Sequence, residues 1–463
     1  MVIVGNGMAG HRLAQGLRRR DPRVPVTVLG AEPRPAYNRV LLSAVLAGTT
    51  PAEAVELPDP GVDVRLGTRI VAVDPHRRSI TLADAAAVPY DEIVLATGSR
   101  AVIPPVPGLA QPDGKPADGV VTFRTVDDCE RIAELARDGP VAVLGGGLLG
   151  VEAARGLAGR GVDVTLVHPV DRLMERQLDA GAGAVLATVL AGIGVRVRLG
   201  VGAVSWTPGH LALSDGDVLD VAGVVVTAGV APRTRLARAA GVAVGRGVLV
   251  DDRLATSAPG VHAIGECAEH RGLVHGLVGP CWEQADVLAD VLTGTASRYT
   301  GSPTITRLKA LGVDLASMGS LDTEGAEVVQ VADAARGRYG ALTVRDGRIA
   351  GAVLLGLPEA TGPVIQLHDT GALAPADRFA LLLGRAAATT TTDSPAQLPS
   401  RAAVCRCNGV TKGDLVAAWR GGAQDVAALV SATRATTGCG GCASAVEGIC
   451  TWLADTEPTE GAA

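Results

Sequence analysis

The chain has 463 residues, 47% hydrophobic and 19% charged. That balance builds sizeable cores and excludes a largely disordered protein; at ~150 residues per domain it predicts about three domains. A net charge of −6 excludes a nucleic-acid binder relying on a global positive field, and aromatics at 2% exclude stacking platforms for single strands. No apolar run approaches the ~18 residues that span a bilayer. No basic start, apolar middle and small-residue cleavage site opens the chain, so a cytoplasmic protein is expected.

A strand, Val2-Ile3-Val4, runs into Gly5-Asn6-Gly7-Met8-Ala9-Gly10, followed by a helical stretch to about Arg20 and a strand at Val26–Leu29. This context fits dinucleotide binding. Gly5 allows the tight turn, Gly7 lets backbone approach a pyrophosphate, Gly10 permits close helix–strand packing, and the helix N-terminus faces the phosphates. Glu32 follows Gly10 by 22 residues, near the ~20 expected for a ribose-binding acid. Pro104 to Gly108 reads as a domain crossing.

The pattern returns 140 residues on. Val141–Leu144 precedes Gly145-Gly146-Gly147-Leu148-Leu149-Gly150, then come a helix to about Arg160 and a strand at Val162–Val167. This is a duplication of architecture. Here His168 occupies the usual acidic position, with Asp171 and Arg172 close behind. A carboxylate prefers a 2′-hydroxyl whereas Arg and His tolerate a 2′-phosphate, so NADH and NADPH both stay open, with NADH preferred. His168 is read either as a cofactor contact or as a surface strand-end residue.

Further on, Asp346-Gly347 between apolar alternations (Ala341–Val344 and Ile349–Leu355) signals a hairpin in a small α+β domain at 301–385. Residues 386–402, with a threonine run and two prolines, read as a linker, and 403–456 as a separate module.

Of eight cysteines, Cys129, Cys267, Cys281 and Cys450 are scattered; Cys450 is expected in a core. Cys405-Arg406-Cys407 and Cys439-Gly440-Gly441-Cys442 form two close pairs, 31 residues apart. Clustering in a chain without an export signal favours metal or redox chemistry over disulfides. Four thiolates suit the irons of a [2Fe–2S] cluster, and Gly438, Gly440 and Gly441 leave backbone N–H groups free to approach its sulfurs. Structural zinc is the rival, although C-x-C is shorter than its usual first pair.

Gly5–Gly10, Leu95-Ala96-Thr97-Gly98-Ser99, Thr227-Ala228-Gly229 and Ala263-Ile264-Gly265-Glu266 resemble the ordered signatures of two-dinucleotide-fold flavoprotein reductases. The resemblance implies an α/β architecture of two Rossmann-like domains: FAD on 1–110 and 229–300, and NAD(P)H on an insertion at 111–228. It implies FAD contacts at Gly5, Gly7, Met8, Ala9, Gly10, Glu32, Arg39, Thr97, Gly98, Ser99, Arg124, Gly265 and Glu266, the last standing where the family carries Asp. For NAD(P)H it implies Gly145, Gly147, Leu148, Leu149, Gly150, Glu152, His168, Ala228 and Gly229, with Glu152 near the nicotinamide–flavin junction. The stretch Tyr37 to Ala44 lacks the cysteines of the family's disulfide reductases, which excludes thiolate chemistry beside the flavin.

Tyr37-Asn38-Arg39, Leu173–Asp179 and Gly265-Glu266-Cys267 are similar to the N-terminal half of the NAD(P)H-dependent nitrite reductase large subunit. The tail resembles the bacterioferritin-associated ferredoxin type of [2Fe–2S] domain, with Cys405, Cys407, Cys439 and Cys442 as ligands in a helical module. Together these imply a converter from two-electron to one-electron chemistry, with no side chain as nucleophile. No second cysteine set remains for a sirohaem centre, so the expected partner is a separate, molybdenum-containing nitrate reductase chain. Another acceptor (a nitrite reductase chain, a ferredoxin or a rubredoxin) and a cluster-based redox sensor remain the alternatives. No nucleic-acid or membrane partner is expected.

Overall fold

The computed structural model describes residues 1–308, 310–385, 395–400, 402–405, 407–438 and 440–457. They divide into two compact units, Met1–Pro169 with Val201–Thr304, and Val170–Gly200 with Ile305–Ala463. Among the described residues no helix is long and apolar enough to cross a membrane.

In the first unit, short runs rich in Val, Ile and Leu form a parallel sheet in the order Val261–Ala263, Ile93–Leu95, Val2–Val4, Thr27–Leu29, Asp63–Arg65. The first strand lies inside this sheet, where both faces are covered; Ile3 and Val94 are fully buried, as continuous apolar strands require. Helix Met8–Arg20 covers one face with Leu13 and Leu17, each contributing roughly 1.5–3 kcal/mol by burial. It packs on helix Val278–Leu292, where Gly16 admits Ala289, and the ion pairs Arg12–Asp286 (2.9 Å) and Arg20–Asp290 (2.7 Å) edge the contact.

The second sheet repeats the plan, with Val164–His168, Val141–Leu144, Gly223–Val226 and Val120–Thr122 parallel and in that order. Strand Val164–His168 starts later than the predicted Val162, because the Val162 amide still bonds to Leu157 O in the turn that closes the preceding helix. The duplication extends to a three-stranded antiparallel meander in each half, at Ile70–Asp74, Ser79–Leu82, Ala87–Pro89 and again at Ala203–Thr207, His210–Leu213, Val218–Asp220.

The chain leaves the first fold and returns to it on two strands that pair with each other, Ser99–Ala101 against Val230–Pro232. The crossing therefore lies here rather than at Pro104–Gly108. That stretch already belongs to the second core: Val106 and the fully buried Leu109 pack with Leu144, Trp206 and Val224, and Gly108 lies on the Trp206 backbone.

In the second unit an antiparallel sheet runs Ile305–Arg307, Leu315–Gly319, Arg348–Leu355, Arg338–Arg345, Glu327–Asp333. Helices Pro358–Thr370 and Arg378–Leu382 cover it over Leu342, Val364 and Leu382, all fully buried. Residues 170–200 join this unit through Tyr339, whose hydroxyl donates to Asp179 (2.6 Å), and Ser317, which donates to Gln177 O (2.6 Å).

The tail module consists of the hairpin Ala403–Cys405 with Val410–Thr411 and helices Lys412–Arg420, Val426–Thr433 and Ala443–Thr456. Cys450 faces its interior. Of the predicted linker, 386–394 and 401 lie outside the described residues. Its end is tied to the module by buried Lys412, which donates to Leu398 O (2.8 Å) and Ala396 O (3.3 Å) and lies 4.5 Å over the Trp452 ring.

Asp346 (φ 49°) and Gly347 (φ 70°) both take the left-handed conformation that a two-residue hairpin demands. Gly347→Val should cost this hairpin about 1–2 kcal/mol, since the position is left-handed and a Cβ would sit 3.1 Å from Leu373 Cδ2. Amide exchange in Arg338–Arg345 and Arg348–Leu355 under mild urea reads this; unchanged protection would contradict it.

Candidate functional site

Three sequence-distant segments meet at the carboxyl ends of the first sheet. Gly5 (φ 115°) turns the chain off Val4, and a Cβ there would run into the Ala96 carbonyl. Gly10 lies on the carbonyl oxygen of Gly5, so helix Met8–Arg20 starts hard against the strand. At Gly265 (φ 78°) a Cβ would approach Ala9 to 2.9 Å, and its amide donates to buried Gln284 (2.7 Å). Ser99 Oγ donates to Glu266 O (3.3 Å) and Thr97 Oγ1 to Arg233 O (2.9 Å). Around Gly7, by contrast, nothing lies within 4 Å of where a side chain would begin, and no side chain caps the helix. An open backbone cradle with an uncapped helix N-terminus suits an anion.

Beside the cradle lies a network of opposite charges. Glu32 accepts from Tyr37 (2.8 Å) and pairs with Arg39, which lies over the Tyr37 ring and donates to Arg124 O (3.2 Å). The Arg124 guanidinium pairs with Glu266, both sides largely buried. Buried Asp128 holds the Arg124 backbone by accepting from its amide (2.9 Å) and that of Thr125 (3.0 Å). Burial pushes the Glu32 carboxyl up, but the Arg39 guanidinium and the Tyr37 hydroxyl outweigh it and hold the group below the usual range. Arg233 also reaches this set: desolvation, then the charges of Arg124, Arg39 and Arg69, push its pKa down. With Arg39, Arg124 and Arg233 against Glu32 and Glu266, the surroundings keep a surplus positive charge, which a pyrophosphate would neutralise.

Tyr37 enters from sequence only as part of a motif, without a role, and Asp128, Arg233 and Gln284 are not singled out there. Of these last three, Arg233 has a signal, four residues after Gly229 where the chain returns to the first fold.

The second cradle has the same construction in other residues. Gly145 (φ 113°) lies against Thr227, Gly150 lies on the Gly145 carbonyl, and Gly147 faces open space. Thr227 Oγ1 donates to Leu144 O and Gly145 O (both 2.9 Å), while Gly229 (φ 98°) is unobstructed. Leu148 and Leu149 open the helix Leu148–Ala158, and Glu152 on it is 3% exposed. His168 ends its strand at 6% exposure. A surface strand-end residue it is not: its side chain is packed away.

Tyr37–Ala44 carries no cysteine, but Cys129 from a later helix lies against it, its Sγ donating to Leu42 O (3.6 Å). Burial, then Asp128 and Glu130, push this thiol up to about 12. It stays protonated at neutral pH, and a thiol is no nucleophile. Cys267 and Cys281 are likewise buried and pushed up, first by desolvation.

In the tail module Cys405, Cys407 and Cys442 are all buried, with Cys405 Sγ and Cys407 Sγ 3.6 Å apart. Cys439, the fourth expected ligand, lies outside the described residues. The loop leading to it carries Arg434 (φ 62°) and Thr436 (φ 67°) in left-handed backbone, and Asn408 Nδ2 braces it through Arg434 O (2.6 Å) and Thr437 Oγ1 (3.1 Å). Gly438 lies directly on Cys407 Sγ, where any side chain would displace the sulfur. Strained backbone and a glycine pressed on sulfur fit a thiolate-ligated cluster that needs close amide approach.

A model of the pyridine nucleotide-disulphide oxidoreductases matches residues 1–284, one of the rubredoxin NAD+ reductase C-terminal domain matches 305–359, and one of the BFD-like [2Fe-2S] binding domain matches 403–451. Over 97% of its length the chain is 36% identical to a Bacillus subtilis nitrite reductase [NAD(P)H], and over 99% it is 33% identical to the assimilatory nitrate reductase electron transfer subunit of the same organism. It spans only 57% and 60% of those two proteins. Rhodocoxin reductase from Rhodococcus erythropolis is 34% identical over 65% of this chain and 74% of its own. The solved putidaredoxin reductase–putidaredoxin complex superposes with a TM-score of 0.72 at 26% identity, covering 80% of this chain and 92% of that one.

Native protein should alkylate at Cys129 about a thousandfold more slowly than unfolded protein at pH 8, because so little thiolate exists. Mass-spectrometric labelling with iodoacetamide checks this; comparable rates would mean the thiol is neither buried nor suppressed.

Proposed function

Because the chain belongs to the pyridine nucleotide-disulphide oxidoreductase family, we propose that it moves electrons from NADH to a separate catalytic chain that reduces nitrate. The family implies FAD and NAD(P)H, and the BFD-like domain indicates a [2Fe–2S] cluster. The chemistry these groups would supply when bound is transfer of one hydride from the nicotinamide to the flavin and release of its two electrons one at a time to the cluster. The observation that carries the reading is the twofold meeting of glycine turn, helix start and strand ends, with three buried cysteines in the tail module.

The chain's own residues bind and orient. The amides around Gly7, Met8, Ala9 and Gly10 would receive the FAD pyrophosphate. Glu32, kept ionised by Arg39 and Tyr37, would hold the ribose hydroxyls. Arg124, positioned by Asp128, pairs with Glu266, which would hold the flavin ribitol, with Gly98, Thr97, Ser99 and Gly265 shaping the adjoining backbone. On the second fold Gly145, Gly147, Leu148, Leu149 and Gly150 would receive NADH, with Ala228 and Gly229 beneath it. His168, buried at the end of its strand, would line the ribose end. Glu152, buried on the helix, acts in position rather than as a proton donor. Cys405, Cys407, Cys442 and Cys439 would ligate the irons.

The acceptor we favour is a molybdenum-containing nitrate reductase chain in the cytoplasm, supported by similarity over 99% of this chain, and 60% of the relative, to a protein named as an electron transfer subunit. A second reading, transfer toward nitrite, is favoured by the 36% identity to nitrite reductase.

Anaerobic titration with NADH should bleach the flavin first and then bring up a [2Fe–2S] paramagnetic signal, more readily than with NADPH. Adding the nitrate-reducing chain should give NADH-dependent nitrite formation. Nitrate reduction by this chain alone, or none with the partner, would overturn the nitrate reading, and nitrite consumption in the same assay would favour the second. Zinc without acid-labile sulfide would remove the cluster. Separately, Glu32→Ala should weaken FAD binding ~10-fold to 100-fold, the cost of unmaking one largely buried polar contact. Wild-type affinity should fall only as acid protonates Glu32, below its unfolded range, because its folded pKa is depressed. Fluorescence titration of apoprotein reads both.

A further inference from the structure

Arg307 ends strand Ile305–Arg307. Its Nη2 donates to Asp314 Oδ1 at 2.9 Å, with side chains 22% and 32% exposed. The Asp314 backbone is fixed in turn, since its carbonyl accepts from the Gly356 amide (2.8 Å). The other Asp314 oxygen is buried with no hydrogen-bond partner, so the carboxylate offsets the guanidinium only from one side. On its far side the Arg307 guanidinium lies on the backbone of Gly441: a Cβ there would overlap Nη1 and come within 2.8 Å of Cζ. Gly441 stands between the last two cysteines of the chain, next to buried Cys442.

We propose that Arg307 is a positioning residue for the iron–sulfur centre: held by Asp314, it seats the Gly440–Cys442 turn on the 305–355 sheet and sets a fixed positive charge against the cysteine sulfurs. Only glycine at 441 leaves room for this approach. A four-thiolate cluster is anionic and gains a further negative charge when it takes one electron. A half-buried guanidinium is weakly screened, so it favours the reduced state and raises the potential. The charge effect rests on the cluster reading above, whereas the seating does not.

The full-length protein, with a specific-protease site placed in 386–394, tests both. Cleaved wild type should keep its tail module through gel filtration, with or without iron. Cleaved Arg307→Ala should lose it, Arg307→Lys should retain part, and Gly441→Ala, which pushes from the module side, should behave like Arg307→Ala. In uncleaved protein, redox titration followed by electron paramagnetic resonance should show Arg307→Ala shifting the cluster's one-electron equilibrium about tenfold toward the oxidised form, ~59 mV lower. A module that stays bound in both Arg307→Ala and Gly441→Ala, a wild-type module that falls away, or an unmoved potential each overturns the proposal. Wild type lacking iron and sulfide would remove the cluster reading while co-elution still decides the seating.

Discussion

Backbone pressed on backbone is the constraint from which the first unit follows. At Gly5 and Gly10, and again at Gly145 and Gly150, a Cα rests on a carbonyl where no side chain could fit. That contact brings each helix start onto the end of its strand, leaves the middle glycine facing open space, and points uncapped amides at one spot. Both cradles owe their open, uncapped shape to the same packing, so the chain carries one solution twice.

Around the first cradle the fold adds charge that no single segment holds. Glu32, Arg39, Arg124, Glu266 and Arg233 come from four stretches of chain, yet each faces another of the set. Opposed charges satisfy each other where water is partly excluded, and the surplus cation remains for a phosphate. The same economy recurs in the second unit, where Asp314 steadies Arg307 and Arg307 meets the cysteine turn of the tail module.

Local patterns were legible because they depend on short-range physics. The glycine spacing, the alternating strands around Asp346-Gly347 and the paired cysteines each state a backbone conformation or a ligand set within a few residues. The crossing between folds was misplaced because Pro104 to Gly108 looks like punctuation, while the real crossing is a pairing between strands about 130 residues apart. His168 looked as ready for the surface as for a cofactor, and burial depends on strands it never neighbours in sequence.

From residue order alone came the two dinucleotide folds, their glycine cradles, the acid at Glu32, the hairpin and the four-cysteine tail. These are encoded in φ preference, side-chain size and spacing, all local quantities. Tertiary structure alone decided that Tyr37 and Arg39 hold Glu32 ionised, that Arg124 pairs with Glu266, that Cys129 reaches Leu42 as a neutral thiol, and that Arg307 meets Gly441. Each is a meeting of charges or sulfurs far apart in the chain, and its energy depends on distance and burial, which a linear sequence does not contain.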